Sequence, residues 1–298
     1  MAGVTASDEI RDFLTSRRAR ITPEQAGLPA YGTHRRVAGL RREEVALLAG
    51  ISVEYYTKLE RGNATGISES VLEGLVRALQ LDEAERTHLY NLFRAAGGSA
   101  PRRQVARRPS RAAVRRPLQL ILDTMTGTPA YVRNGRMDIL AANDLGRALY
   151  SPVFSMGDRI PNTSRFIFLD PTAPEFFLDW DRVESDAVAI LRAAAGRDPY
   201  DKQLTDLVGE LSTRSERFRV LWARHDVKLH HTGTKRLHHP TVGDLTLSYE
   251  AFELPVDTGQ QINVYTAEPD SADAERLALL ASWAATTAPA LAHQTRRE

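Results

Sequence analysis

The run Arg42-Glu43-Glu44-Val45-Ala46-Leu47-Leu48-Ala49-Gly50-Ile51-Ser52-Val53-Glu54-Tyr55-Tyr56-Thr57-Lys58-Leu59-Glu60-Arg61-Gly62 reads as two short helices joined by a tight turn. Val45 and Leu48 share one face of the first helix, and Ala46 is small where a second helix must cross closely. Gly50 suits a left-handed turn residue, because glycine reaches positive φ without a Cβ clash. Ile51 plugs the space between the helices, Ser52 can cap the second one, and Glu54 in its first turn complements the helix dipole. Tyr56 and Leu59 then point to the core, which leaves Val53, Glu54, Thr57, Lys58 and Arg61 on the opposite face. A short helix presenting polar groups from a fixed frame has the geometry for reading base edges in a major groove. Periodicity alone weighs this evenly against a helix pair with a purely structural role.

The flanking sequence tips that balance toward nucleic acid. Further helices read over Asp8–Arg20, Ser68–Leu79 and Asp82–Ala96, the last with Asp82 and Glu85 in capping-box spacing and Gly97-Gly98 as its stop. The expectation is therefore an all-α, five-helix domain over residues 1–98. Arg35, Arg36, Arg41 and Arg42 cluster ahead of the first helix of the pair, where they suit phosphates. A basic linker is expected at 99–117, and Arg102 to Arg116 holds seven arginines and no acid. Residues 1–117 carry twenty Lys and Arg against thirteen Asp and Glu, whereas 118–298 carry nineteen against twenty-five. A basic front half suits a polyanionic partner, here double-stranded DNA. The residues expected to meet it are Arg35, Arg36, Arg41, Arg42, Ser52, Val53, Glu54, Thr57, Lys58 and Arg61. A homodimer is expected, because one such domain buries too little surface for high specificity.

Beyond the linker the periodicity changes. Tyr131 to Leu140 is two apolar runs flanking Asn134-Gly135, a hairpin signal. Leu245, Leu247, Tyr249 and Ala251 alternate with polar residues, and Ile262 and Val264 repeat the pattern, so both stretches read as half-buried strands. Helical stretches over Arg182–Ala195, Lys202–Leu211, Ser215–Arg224 and Ala272–Ala285 complete an α+β domain over 118–298 with an antiparallel sheet. The helices carrying Trp180 and Trp222 are expected to cover that sheet, leaving an apolar cavity between. Tyr131, Phe166, Phe168, Trp180 and Trp222, with Tyr249 and Phe252, are its candidate aromatic lining, and Arg165, Arg236 and His238 its candidate polar mouth.

Other chemistries find little support. His225, His230, His231, His238 and His239 fall within fifteen residues, but adjacent histidines on an extended chain point to opposite faces. Hydrogen-bonded structural roles are favoured for them, and no metal or cofactor is expected. No glycine-rich phosphate loop, Gly-x-Ser-x-Gly elbow or His-Glu-x-x-His pair occurs, so no enzyme is expected. There is no cysteine, hence no disulfide or thiolate chemistry. The N-terminal residues lack a basic, then apolar, leader and no apolar run approaches a membrane span, so a cytoplasmic protein is expected.

Longer motifs carry a resemblance. Arg17-Arg18-Ala19-Arg20, Gly27-Leu28-Pro29, Gly39 to Ala46 and Tyr55 to Glu60 resemble the Cro-like helix-turn-helix regulators of the XRE family. Thr128 to Tyr131, Phe166 to Asp170, Leu221-Trp222, Gly233 to Arg236, His238-His239-Pro240 and Val264 to Glu268 are similar to its MmyB-like branch. That resemblance implies a transcription regulator whose PAS-like C-terminal domain senses a small amphiphile, fatty-acid-like in some relatives. It also implies base-facing positions for Val53, Glu54, Thr57 and Lys58 and a phosphate-facing one for Arg42. The alternative is a C-terminal domain serving only for dimerisation or protein contact.

Overall fold

The computed structural model describes residues 6–28, 37–63, 66–96, 114–157, 160–198, 200–224 and 232–294, with side chains to 286. Arg35, Arg36, Gly97-Gly98, the arginine tract up to residue 113 and His225, His230 and His231 lie outside the described residues. Contacts divide the chain into two compact units. The first comprises Met1–Ala106, Arg192–Thr205 and Val220–Leu229, and the second Arg107–Leu191, Asp206–Arg219 and His230–Glu298.

The first unit holds the five expected helices: α1 (Ala6–Arg20), α2 (Arg42–Ala49), α3 (Val53–Glu60), α4 (Glu69–Ala78) and α5 (Glu83–Ala96). Ile10, Phe13, Leu14, Leu40, Val45, Tyr56, Leu59, Leu75, Leu89 and Leu92 form its core. Gly50 takes the left-handed conformation at φ 69°, which turns the chain from α2 into α3. The Asp82 carboxylate accepts from Glu85 N at 2.8 Å, and Glu85 accepts from Asp82 N at 3.2 Å, so α5 opens with a reciprocal cap. Two details differ from the expectation. Ala49 is buried where Leu48 was expected, and Leu48 is only half-buried. The close helix crossing also needs Gly74: a Cβ there would lie 2.5 Å from the Ala49 carbonyl oxygen, so α4 passes α2 only without a side chain.

In the second unit α6 (Arg116–Thr124) begins inside the stretch expected to be linker, because Pro117 is pre-set for a first turn and Leu118 and Leu122 have a sheet to cover. The sheet has five antiparallel strands in the order β2-β1-β5-β4-β3: β1 (Ala130–Asn134), β2 (Ile139–Ala142), β3 (Thr232–His239), β4 (Gly243–Glu253) and β5 (Gln260–Thr266). Helices α7 (Asp144–Leu149), α8 (Ser151–Phe154), α9 (Thr163–Leu169), α10 (Ala173–Phe176), α11 (Trp180–Arg197), α12 (Lys202–Arg214) and α13 (Glu216–Trp222) are inserted between β2 and β3. Helix α14 (Ala272–Gln294) closes the chain. This is the α+β, PAS-like architecture expected.

The hairpin exists, but its turn is not the two-residue type that Asn-Gly suggested. Four residues connect the strands, and the left-handed position falls on Met137 (φ 64°). Asn134 Oδ1 accepts from the backbone N–H groups of Arg136 (2.9 Å) and Asp138 (3.1 Å), so asparagine serves here as an Asx turn. Strand β5 shows the alternation expected. Ile262 and Val264 pack with Leu118, Leu122, Ala130, Val132 and Ala141 beneath α6, and their neighbours Asn263 and Tyr265 occupy the opposite face. Strand β5 packs on both faces, whereas alternate residues of β4 are exposed, so alternation alone does not assign the cavity face of β5. Among the described residues no helix is long and apolar enough to cross a membrane.

Candidate functional site

Helix α3 sets its sides by packing. Tyr56 and Leu59 are fully buried, and Val53, Glu54, Lys58 and Arg61 are exposed on the other side. Thr57 is half-buried, its hydroxyl donating to the Val53 carbonyl at 2.8 Å. Ser52 Oγ accepts from Tyr55 N at 3.1 Å, so that oxygen caps the helix. Arg41 is exposed just ahead of α2, its backbone N–H donating to the Glu44 carboxylate at 2.6 Å.

Glu60, at the last turn of α3, carries a role the sequence reading missed. It is 2% exposed, and its carboxylate accepts from Arg18 Nε at 2.7 Å, from Arg42 Nε and from the Tyr56 hydroxyl at 3.3 Å. Arg18 also donates to the Leu40 carbonyl at 3.0 Å. Burial and the Glu60 charge push the Tyr56 phenol well above its ordinary range, so it stays protonated and donating. Arg42, expected to face phosphate, therefore also ties the start of α2 to the end of α3, with about half of its side chain still exposed.

The second site is a cavity of about 50 Å³ in the second unit, between the sheet and its inserted helices. Tyr131 and Arg133 reach it from β1, Lys235 from β3, Tyr249 from β4 and Asn263 and Tyr265 from β5. Tyr150 and the α11 residues Val183, Asp186, Ala187 and Ile190 complete the wall with Met137, Thr163, Ile167 and Phe177. Three phenols form a chain there: the Tyr150 and Tyr265 oxygens are 2.8 Å apart, and those of Tyr265 and Tyr131 3.1 Å apart. Burial pushes Tyr150 and Tyr265 far above the usual phenol range, so all their protons remain. Three hydroxyl protons serve two contacts, leaving one donor for a fourth partner.

Two cations share this wall. Arg133 is 5% exposed, with the Gln261 side-chain amide 2.7 Å from its Nη2 and the Asn134 carbonyl 3.4 Å from its Nη1. Lys235 has its ammonium 5.7 Å from the Tyr249 ring centre and 6.0 Å from that of Phe177. Neither makes an ion pair among the described residues, and Asp186, the acid in the wall, pairs with Arg182 at 3.7 Å. Burial lowers Lys235 to about 8, with Arg182 and Arg133 adding to the shift and Asp186 and Asp179 opposing it. Asn263, 4% exposed, has one end of its amide 3.2 Å from Gln261 and the other without a partner in the cavity wall. Two unpaired cations and two unmatched polar groups in one enclosure select a ligand rich in acceptors.

Of the ten residues expected around the ligand, Tyr131 and Tyr249 line this cavity. Phe166 lies one layer back, edge-on to Phe176 and Phe177, and Phe168 packs on Phe218. Arg165 pairs with Glu210 at 2.9 Å, Arg236 with Asp179 at 3.0 Å and His238 with Asp244. Trp180 is half-buried at the start of α11, outside the cavity lining. Trp222 belongs to the first unit, where the Arg192 guanidinium lies 4.1 Å from its ring. Phe252 is 55% exposed. The physical reason on β3 is strand parity: Lys235, Leu237 and His239 point inward, so Arg236 and His238 point out. His239 is held structurally, its Nε2 2.9 Å from the Ala148 carbonyl and its Nδ1 accepting from Thr241 N at 3.2 Å. Burial lowers its pKa.

Comparison with known families adds two matches. The family model described as MmyB-like transcription regulator ligand binding domain matches residues 114–280, and that of a helix-turn-helix domain matches residues 32–89. No curated protein matches the chain.

Proposed function

The chain belongs to the MmyB-like transcription regulators, and from that premise we propose that α3 reads an operator while a small carboxylic acid in the Arg133–Lys235 cavity sets how tightly it is held. This is a ligand-responsive, DNA-binding regulator. The protein acts as a homodimer on paired half-sites in the cytoplasm, where its DNA is, and catalyses no reaction.

For DNA, the observation that carries the reading is the exposed face of α3. Lys58→Ala or Glu54→Ala is expected to relax preference at particular half-site positions, at about 1–3 kcal/mol each. Selection of bound fragments from random DNA checks this, and an unchanged consensus for both variants would remove α3 from the readout. Val53, Thr57 and Arg61 complete the face, with Ser52, Arg41, Arg42, Arg35 and Arg36 toward the phosphates.

For the ligand, the observation is the pair of cations without carboxylate partners. An acid's head matches them, and the spare phenol proton and the Asn263 amide complete its hydrogen bonds. The amphiphile expected from the sequence keeps its head and constrains its tail. About 50 Å³ accommodates only a few water-sized groups at roughly 10–15 Å³ each. A short-chain acid such as butanoate suits that volume better than a longer one such as octanoate. For such a ligand to regulate, it must bind the two DNA-affinity states unequally, with a coupling of about 5–150-fold. Butanoate at a hundredfold excess over its Kd is expected to raise Tm by about 5–10 °C. Butanol should leave Tm unchanged, and Arg133→Ala should abolish the acid's effect. Equal responses to acid and alcohol would overturn the reading.

A further inference from the structure

The cation on β3 is a lysine, and in this chain that is an unusual choice. Thirty-five of the thirty-nine basic residues are arginine; the four lysines are Lys58, Lys202, Lys228 and Lys235. A guanidinium at 235 would hold a carboxylate more firmly and stay charged at every accessible pH, whereas an ammonium can give up its proton and become a nucleophile. The surroundings of Lys235 suit that second use. Its side chain is half-buried in the cavity wall, and its nitrogen makes no hydrogen bond or ion pair with another described residue. The rings of Tyr249 and Phe177 flank it, and Arg133 is a second cation in the same wall. A lysine desolvated among aromatic rings and beside another cation is the arrangement that activates amines toward carbonyl carbon.

We infer that Lys235 captures a 2-oxo acid covalently and reversibly, as an imine, with Arg133 holding the carboxylate next to the carbonyl. This rests on the anion-binding reading above and adds a carbonyl group to the ligand. The amine nitrogen attacks the carbonyl carbon, a C–N bond forms, and the carbonyl oxygen becomes a hydroxyl. That hydroxyl leaves as water when the C=N bond closes. Starting from the ammonium, the products are a protonated imine and one water, so charge and protons balance without an outside oxidant or reductant. The spare phenol proton of the Tyr131–Tyr265–Tyr150 chain and the Asn263 amide are the polar groups of this wall beside the oxygen as it changes from carbonyl to hydroxyl. With Lys235 lowered to about 8 by burial, an appreciable fraction of the amine is neutral near pH 7.5, as capture requires. The cavity volume matches an acid of few carbons, and glyoxylate and pyruvate are the simplest members of the class.

The test uses the full-length protein with pyruvate and sodium cyanoborohydride, which converts an imine to a stable secondary amine, followed by peptide mapping. The expected result is a reduced adduct on Lys235 at least tenfold above that on Lys58, Lys202 or Lys228. Yield should rise as pH passes through about 8, and excess lactate, which has the same carboxylate and no carbonyl, should suppress it. Arg133→Ala should lower the yield about tenfold or more, and Lys235→Arg should remove the adduct. Labelling spread evenly over the four lysines, or none at Lys235, overturns the imine. If lactate still raises Tm in that case, the anion reading stands without it; if lactate does nothing either, both fall together.

Discussion

Glu60→Ala is expected to destabilise the helix-turn-helix unit by about 3–5 kcal/mol, the usual cost of removing one partner from a buried ion pair. Glu60 is 2% exposed and sits at the C-terminal end of α3, where the helix dipole disfavours an acid. It persists there because Arg18 and Arg42 converge on it from α1 and α2 and the Tyr56 hydroxyl donates to it from within α3. Alanine would leave the Arg18 guanidinium with the Leu40 carbonyl but no carboxylate, and would orphan a phenol whose residue is fully buried. Hydrogen exchange of the α2 and α3 amides in the full-length protein measures the loss where it occurs, and operator affinity should fall with it. Glu60→Gln keeps the shape and gives a smaller loss. Arg42→Ala separates the two roles of that side chain. If Arg42 only neutralised phosphate, its loss would flatten the salt dependence by about one unit and leave exchange unchanged. Faster exchange in α2 and α3 is expected instead, and exchange in Glu60→Ala matching the parent would sink the assignment.

How much of this was legible in the sequence depends on how many constraints each position carried. In the run from Arg42 to Gly62, helical period, a left-handed glycine and a serine cap all point to one answer, and Gly50, Ser52, Tyr56 and Leu59 stand where expected. Glu60 was passed over because an acid ending an exposed-looking helix resembles any solvated charge; the disfavoured dipole position was the available clue. The cavity-lining residues are harder to read. On β3 the obvious polar residues, Arg236 and His238, suggest a mouth, but Leu237 between them has to be buried, and its parity carries Lys235 inward. On β1 the clue was stronger: once Tyr131 faces the cavity, Arg133 two residues on must share that face. Arginine in the middle of a strand reads as surface by type, and only the parity argues otherwise. Which face of β5 meets the cavity had no such clue. Both its faces are covered, so Ile262 and Val264 alternate as convincingly beneath α6 as they would beneath a ligand.

Affinity for a simple acid such as butanoate is expected to fall about thirtyfold between pH 7 and 9.5, and the cause is Lys235. Its folded-state value lies near 8, below the 10.5 of an ordinary lysine. Without ligand, the unfolded chain keeps this proton between those values while the folded chain has lost it. Raising the pH through that window therefore favours the folded state, so a weakening of ligand binding there does not reflect unfolding driven by this group. The carboxylate needs the ammonium, so each unit above about 8 costs up to a factor of ten, and 1.5 units give about thirtyfold. Burial pushes the Tyr249 phenol of the same wall upward. Tyr150 and Tyr265 are pushed far upward by burial, Arg133 remains a guanidinium despite burial lowering its pKa, and the butanoate carboxylate is ionised throughout. Calorimetric titration at intervals of half a pH unit measures the profile. Lys235→Arg supplies the decisive comparison, because a charge that cannot be lost should bind butanoate with a flat profile over the same range. Imine trapping by pyruvate needs the neutral amine and should run the other way, rising where butanoate binding falls. Parallel profiles for the parent and Lys235→Arg would show that the anion is held elsewhere, and Lys235 would then be no part of the site.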